Sequence, residues 1–234
     1  MSSEPKTADA LADAAVAEIT SGMTVGLGTG RTASRAVHAL SERVRAERLE
    51  VRCVPTSHVT ETLARALGLK LIDFAMLEKI DFLFDGADEV DPQMRMLKGG
   101  GGAFVRERIV AHAAQRRVYI VDESKLVDRL GQRTTLAVGV MAFGLASIRQ
   151  HLRGLGLHGV VRRTLDGHLF LTDNGSLIID VTLEERDVDE LETSLNAVPG
   201  VIDHGLFLSE ADEIIIETTA GGLERMKRED EPDR

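Results

Sequence analysis

The sequence predicts an α/β fold in which a helix-covered parallel sheet carries a smaller α+β unit. Three observations lead there. In the first half, short apolar β-rich runs alternate with stretches of helical spacing, as βαβ units do. A glycine-rich segment, "GLGTGRTAS", stands where the first run hands over to the first helical stretch. After about Gly131 the alternation changes to strand, helix, paired strands and helix, which is an α+β order.

The expected strands of the parallel sheet are "TVGLG", "EVRCVP", "LKLIDF", "DFLFD" and "RVYIVD". Between the first two, Ala33, Ala36, Val37, Leu40 and Val44 recur at helical spacing, so one face of that helix packs on the sheet. A second helix follows "PTS", with Ser57 as its N-cap and Leu63, Ala66 and Leu67 inside. Later come strand-like "TLAVGV", helical "LASIRQHLRGL", strand runs paired about "TDNGS", helical "DVDELETSLNAV", then "GLFL" and "EIIIETT". Asn174-Gly175 is a strong hairpin-turn signal. The expected architecture is a Rossmann-like domain at residues 1–130 with 206–234, and a smaller ferredoxin-like α+β domain at 131–205 that serves as the oligomer interface. The last eleven residues, "ERMKREDEPDR", are charged or turn-forming and are expected to fray.

Composition narrows the function classes. With 234 residues, 43% of them hydrophobic, the chain has material for a substantial core. It has no apolar run of membrane-spanning length and no signal-peptide pattern at its start, so the expected location is the cytoplasm and no membrane partner is expected. A net charge of −10, 3% aromatics and no tryptophan argue against nucleic acid as a partner. An anionic ligand would have to be held by local donors against the overall field, which points to helix N-termini and a few placed cations. The single cysteine, Cys53, excludes intramolecular disulfides and multi-cysteine metal sites, and its apolar neighbours make it a core residue rather than a nucleophile.

In "GLGTGRTAS", glycines between strand and helix let backbone N–H groups and a helix N-terminus close on an anion, with Thr29, Thr32 and Arg31 as added donors. Phosphate is the obvious candidate; a tight turn that merely needs glycine is the plainer alternative. Gly28, Gly30 and Ala33 also satisfy GxGxxA, but the next strand ends in "VPTSH" without the acid that would hold a dinucleotide's ribose, so a nicotinamide cofactor is not expected.

"FDGADEVDPQMRMLKGGGGAFVRERIV" packs four acids into seven positions, then one lysine, then four glycines, then a glutamate flanked by arginines. Asp85 and Asp88 fall at the carboxyl end of a buried strand, where open α/β sheets bind ligands. The spacing of the acids is not that of a calcium loop, and none of the seven histidines lies near another in sequence, so no metal site is expected. Lys98 precedes Gly99–Gly102, the reverse of a nucleotide-binding P-loop. On the following helix Glu107 shares a stripe with Ala103, Val110, Ala111 and Ala114 and so points inward. A carboxylate there is either a structural ion pair or a general base with a raised pKa.

Taken together, "GLGTGRTAS", "VPTSHVT", "DGADEVD", "LKGGGGAFVRERI", "VDESKLV", "LTDNG" and "VPGVIDHGLF" occur in the order found in ribose-5-phosphate isomerases of type A, and the chain resembles that family from about residue 8 to 222. The resemblance implies a metal-free, cofactor-free aldose–ketose isomerase that interconverts D-ribose 5-phosphate and D-ribulose 5-phosphate in the pentose phosphate pathway. It implies Glu107 as the base that moves the proton between C1 and C2. It places Asp85, Asp88 and Lys98 around the sugar, with Gly86, Ala87, Gly99, Gly100 and Gly101 as backbone contacts. The family's phosphate loop falls on Thr29, Gly30, Arg31 and Thr32, and a second ligand-contacting lysine on Lys125. It also implies a homodimer or homotetramer. Arg31 stands where the family commonly has serine and Gly102 where it commonly has alanine, and "TTLAVGV" replaces a proline-bearing strand. The competing expectation is a non-catalytic sugar-phosphate sensor, since related folds serve as effector-binding domains. A weaker rival is an enzyme of the same broad fold acting on amino sugars or acyl groups.

Overall fold

The computed structural model describes residues 9–228. The chain divides into two compact units: one holds the residues up to Gly86, Ala113–Glu123 and those from Asp212 on; the other holds Ala87–His112 and Ser124–Ala211. In chain order the elements are α1 (Ala10–Val16), β1 (Thr24–Leu27), α2 (Arg31–Glu47), β2 (Arg52–Pro55), α3 (His58–Ala66) and β3 (Ile80–Asp85). Next come β4 (Glu89–Val90), β5 (Met96–Leu97), α4 (Phe104–Ala113) and β6 (Ala114–Asp122). Then follow β7 (Leu136–Val140), α5 (Leu145–Gly154), β8 (Gly159–Val161), β9 (Leu177–Val181), α6 (Val188–Asn196), β10 (Val201–His204), β11 (Leu206–Phe207), β12 (Glu213–Glu217) and β13 (Leu223–Lys227).

The first unit is built on a six-stranded sheet of order β13-β12-β6-β3-β1-β2, parallel except for the antiparallel edge strand β13. Its parallel strands read as near-continuous apolar runs because helices cover the sheet and side chains on both faces are buried. Val25, Leu27, Phe82, Phe84, Val118, Ile120 and Ile215 of the sheet pack with Leu11 and Val16 of α1 and with Ala36, Val37 and Leu40 of α2. Ser57 caps α3 as expected, its hydroxyl oxygen accepting the Thr60 N–H. Cys53 is fully buried in this core, and burial pushes its thiol up to about 12, so it packs as a neutral side chain at physiological pH. The parallel arrangement brings the carboxyl ends of β1, β2, β3 and β6 to one edge of the sheet.

Two expected features of this unit are corrected. "LKLIDF" forms no strand: only Leu71 bridges to Cys53, and Asp73 then caps a short 3-10 turn at Phe74–Met76. In the tail, residues 224–227 do not fray but pair with β12 as part of β13; their charges suit an exposed sheet edge. The remaining tail residues, 229–234, lie outside the described residues.

The second unit contains a β7-α5-β8-β9-α6-β10 series forming an antiparallel sheet of order β10-β7-β9-β8, the ferredoxin-like arrangement. Leu136, Val138, Leu177, Ile179, Ile148, Leu152, Leu191 and Leu195 fill its core. Asn174-Gly175 does make a turn: the Gly175 N–H donates to the Thr172 carbonyl at 2.9 Å, and Gly175 has φ +76°. β8 before that turn pairs antiparallel with β9 after it, and between β8 and the turn Arg163 bridges to Leu169. A small sheet of order β11-β5-β4 also belongs to this unit and carries the ends of the acidic and glycine-rich segments. The second unit thus includes residues 87–112, ahead of the boundary near residue 131 that the sequence suggested. Among the described residues, no helix is long and apolar enough to cross a membrane.

Candidate active site

In the first unit, the handover from β1 to α2 is built around one close approach. A methyl group on Gly28 would lie 2.2 Å from Asp85 Oδ1 and 2.5 Å from Asp85 Cα, so only glycine fits. Asp85 is the last residue of β3 and fully buried; its Oδ1 accepts the N–H groups of Thr29 (3.0 Å) and Gly86 (2.7 Å). Gly30, at φ +111°, turns the chain into α2 and offers no side-chain cap. The helix therefore begins with N–H groups available to an anion, with exposed Arg31 and half-buried Thr32 in its first turn.

Thr29 does more than the sequence suggested. Its hydroxyl lies 2.7 Å from Thr56 Oγ1, 2.8 Å from Ser57 Oγ and 3.2 Å from Thr60 Oγ1, while Thr56 and Thr60 donate to the carbonyls of Leu27 and Gly28. This hydroxyl cluster locks the loop to the end of β2. Thr56 and Thr60 were missed as loop supports; the only available signal was the clustering of hydroxyl residues in "VPTSHVT".

In the second unit, Lys98 follows β5. Its N–H donates to the Gly205 carbonyl at 2.9 Å, and Gly205 must be glycine because a methyl group would stand 2.0 Å from Lys98 O. The Lys98 ammonium lies 3.4 Å from Glu107 Oε1, with only 3% and 6% of the two side chains exposed. Glu107 sits in the first turn of α4, where the helix dipole favours a negative charge. The Lys98 ammonium is also 5.6 Å from the centre of the Phe207 ring, and the Arg108 guanidinium is 4.2 Å from that same ring. Arg108 in turn bonds Asp203, Glu210 and the carbonyls of His204 and Leu206, anchoring the helix turn that bears Glu107 to β10 and β11. Burial pushes the Asp203 carboxyl up even though Arg108 pulls it down, the mark of an ion pair placed in a dry setting.

Asp88 is fixed to the glycine run: its N–H donates to Leu97 O (2.8 Å) and its Oδ2 accepts the Gly100 N–H (2.8 Å). The other two acids of the cluster have structural duties. Glu89, almost fully buried, accepts the N–H groups of Gly131, Arg133 and Thr134, each at 2.6 Å, and Asp91 closes its own turn onto Gln93 and Arg95. Gly102, with φ +77°, would drive a methyl group to 2.6 Å from the Phe170 ring, which is why alanine does not suit this chain there. Ala87 is half-buried between the two aspartates, and Gly101 is exposed. Lys125 is half-buried in the 3-10 turn Glu123–Lys125 and bonds none of Asp88, Lys98 and Glu107.

The second unit therefore brings together a buried carboxylate, a buried ammonium and an aspartate held by a glycine backbone, a set suited to moving a proton beside a carbonyl. The sequence profile of the family described as Ribose 5-phosphate isomerase A (phosphoriboisomerase A) matches residues 52–221. The chain belongs to the ribose 5-phosphate isomerase A family. It is 45% identical over 215 residues to a ribose-5-phosphate isomerase A of Roseiflexus sp. (strain RS-1), covering 91% of this chain and 92% of that one. Among solved structures, ribose 5-phosphate isomerase A of Methanocaldococcus jannaschii superposes with a TM-score of 0.88 at 35% identity, covering 93% and 96% of the two chains. A D-ribose-5-phosphate isomerase in complex with phospho-erythronic acid gives a TM-score of 0.89 at 32% identity, over 93% and 96%.

Proposed function

We propose that this protein interconverts D-ribose 5-phosphate and D-ribulose 5-phosphate through a cis-enediolate, as a step of the non-oxidative pentose phosphate pathway. The observation that carries the reading is the buried pair of Lys98 and Glu107, which flank the glycine run, in a chain of the isomerase family. In the forward direction Glu107 removes the C2 proton of the open-chain aldose, the electron pair forms the C1–C2 double bond, and the aldehyde oxygen becomes anionic. Lys98 stabilises that oxygen. Glu107 then returns its proton to C1, the O2 proton transfers to O1, and the ketose results.

Asp85 and Asp88 serve the sugar hydroxyls, ring opening and the oxygen-bound proton, with the backbone of Gly86, Ala87 and Gly99–Gly101 lining the sugar. The phosphate is assigned to Thr29, Gly30, Arg31 and Thr32 at the start of α2, and Lys125 serves as a second cation. The phospho-erythronic acid complex of a relative supports this reading, because a carboxylate presents two coplanar oxygens much as a cis-enediolate does. We place the protein in the cytoplasm as a homodimer or homotetramer, with the segment 131–205 at the interface.

The test is turnover. Purified protein with D-ribose 5-phosphate should form the ketose at a rate unaffected by chelator. Binding without conversion would identify a sensor, and conversion abolished by chelator would show that a metal takes part.

A further inference from the structure

Arg162, directly after β8, is sixty residues from the glycine run in sequence yet contacts it directly. Its Nη1 donates to the carbonyl oxygens of Gly99 (2.7 Å) and Gly100 (3.1 Å). The rest of its guanidinium is occupied by the Asp180 carboxylate on β9: Nε donates to Oδ2 at 2.9 Å and Nη2 to Oδ1. The Phe170 ring, 5.6 Å from the guanidinium, is the same ring that limits residue 102 to glycine. A planar fork held on one side by a carboxylate has little freedom left, so its remaining donors sit at defined positions.

The Gly99 carbonyl held by Arg162 and the Gly100 N–H held by Asp88 lie on opposite sides of one peptide bond. In a trans peptide the carbonyl of residue i and the N–H of residue i+1 point in opposite directions from one plane. Arg162 holds the Gly99 carbonyl, and the Gly100 N–H of the same plane donates to Asp88 Oδ2 at 2.8 Å. Glycine at both flanking positions removes the steric barrier to rotation of that plane, and Gly99 is at φ +114°, where other residues are strained. The Gly99 carbonyl also accepts the Gly102 N–H at 3.0 Å, but that bond lies within the glycine run itself, so without Arg162 the run could turn as a piece and release the carboxylate.

We propose that Arg162, braced by Asp180, is a positioning residue for the isomerisation: by holding the Gly99 carbonyl it turns the Gly100 N–H onto Asp88. This rests on the function proposed above, with Asp88 serving the sugar. The phosphate loop is not part of this linkage, so phosphate anchoring is retained and the larger effect is expected on kcat, through the roles of Asp88 in ring opening and oxygen-proton transfer.

The experiment measures wild type, Arg162→Ala, Arg162→Lys and Asp180→Asn in one ribose 5-phosphate assay, each also in an Asp88→Asn background, together with hydrogen exchange of the Gly100 amide. Arg162→Ala should lower kcat at least ~10-fold with KM within ~3-fold, and added methylguanidinium should restore part of the rate. Arg162→Lys, which keeps the charge but loses the fork, should lie between. In the Asp88→Asn background Arg162→Ala should cost no more than ~2-fold, because both changes act on one carboxylate. The Gly100 amide should exchange faster in Arg162→Ala. A kcat within twofold of wild type, an undiminished effect in the Asp88→Asn background, or unchanged Gly100 exchange would overturn the proposal. Wild-type protein without turnover would instead overturn the isomerase reading, and the exchange measurement would still decide the clamp. Should Arg162→Ala fail to fold, the Lys and Asp180→Asn variants carry the same comparison.

Discussion

Gly28 and Asp85 are fitted to each other so closely that a methyl group on the glycine would stand 2.2 Å from the carboxylate and 2.5 Å from the aspartate Cα. The second contact is to backbone, so a side-chain rotation cannot relieve it. The glycine of the loop and the aspartate at the end of β3 are one structural unit, tied again by the Thr29 N–H on Asp85 Oδ1.

Gly28→Ala is therefore expected to displace Asp85 or the loop. Overpacking of this kind costs roughly 1–3 kcal/mol, which urea denaturation will read. The displacement should also lower kcat at least ~10-fold. A variant with wild-type stability and turnover would show that the fit is looser than described.

Lys98→Met leaves the Glu107 carboxylate buried without its ammonium. Removing one partner of a buried pair costs about 3–5 kcal/mol, whereas replacing both is much milder. Lys98→Met should thus be markedly less stable than Lys98→Met with Glu107→Gln, while both should lose at least ~100-fold in kcat. A stable, active Lys98→Met enzyme would contradict both the pairing and the oxyanion role.

His204 sets an acid limit on stability. Burial is the main cause, and the nearby Arg108 a second, that pulls its pKa down to about 3. Its Nδ1 accepts the Leu206 N–H, and its Nε2 is buried without a hydrogen-bond partner among the described residues. The folded pKa lies below the unfolded value, so between about pH 6.5 and 3 the unfolded chain binds more protons. The stability tied to neutral His204 is then complete above about pH 6.5 and is lost as pH falls towards 3, at up to about 1.4 kcal/mol per pH unit. His204→Asn, which can still accept the Leu206 N–H, should flatten this slope in melts between pH 6.5 and 4.5. An unchanged slope would assign the acid sensitivity to other groups.

Much of the site was legible because local rules decided it. The burial of Phe82-Leu83-Phe84 put Asp85 at a strand end, and helical spacing turned Glu107 inward beside Val110 and Ala111. What periodicity could not show were partners brought by tertiary folding. Nothing in the sequence marks Glu89 as the acceptor for three N–H groups more than forty residues away, or Arg162 as the anchor of Gly99. Short elements also escaped. The two-residue strands β4 and β5 have no detectable period, so the assignment of residues 87–112 to the second unit left no sequence trace. "LKLIDF" has a strand's composition, but pairing ends at the single Leu71 bridge. "ERMK" has a tail's composition, and backbone pairing with β12 overrides it.

Glu107 is proposed as the base that carries the proton between C1 and C2. The most direct test compares wild type and Glu107→Gln with D-ribose 5-phosphate in deuterated water, following ketose formation and deuterium uptake at carbon by NMR. Wild type should convert the sugar with deuterium incorporation, and Glu107→Gln should show neither conversion nor exchange while still binding the sugar phosphate. Continued exchange by Glu107→Gln at a rate near that of wild type would contradict that role.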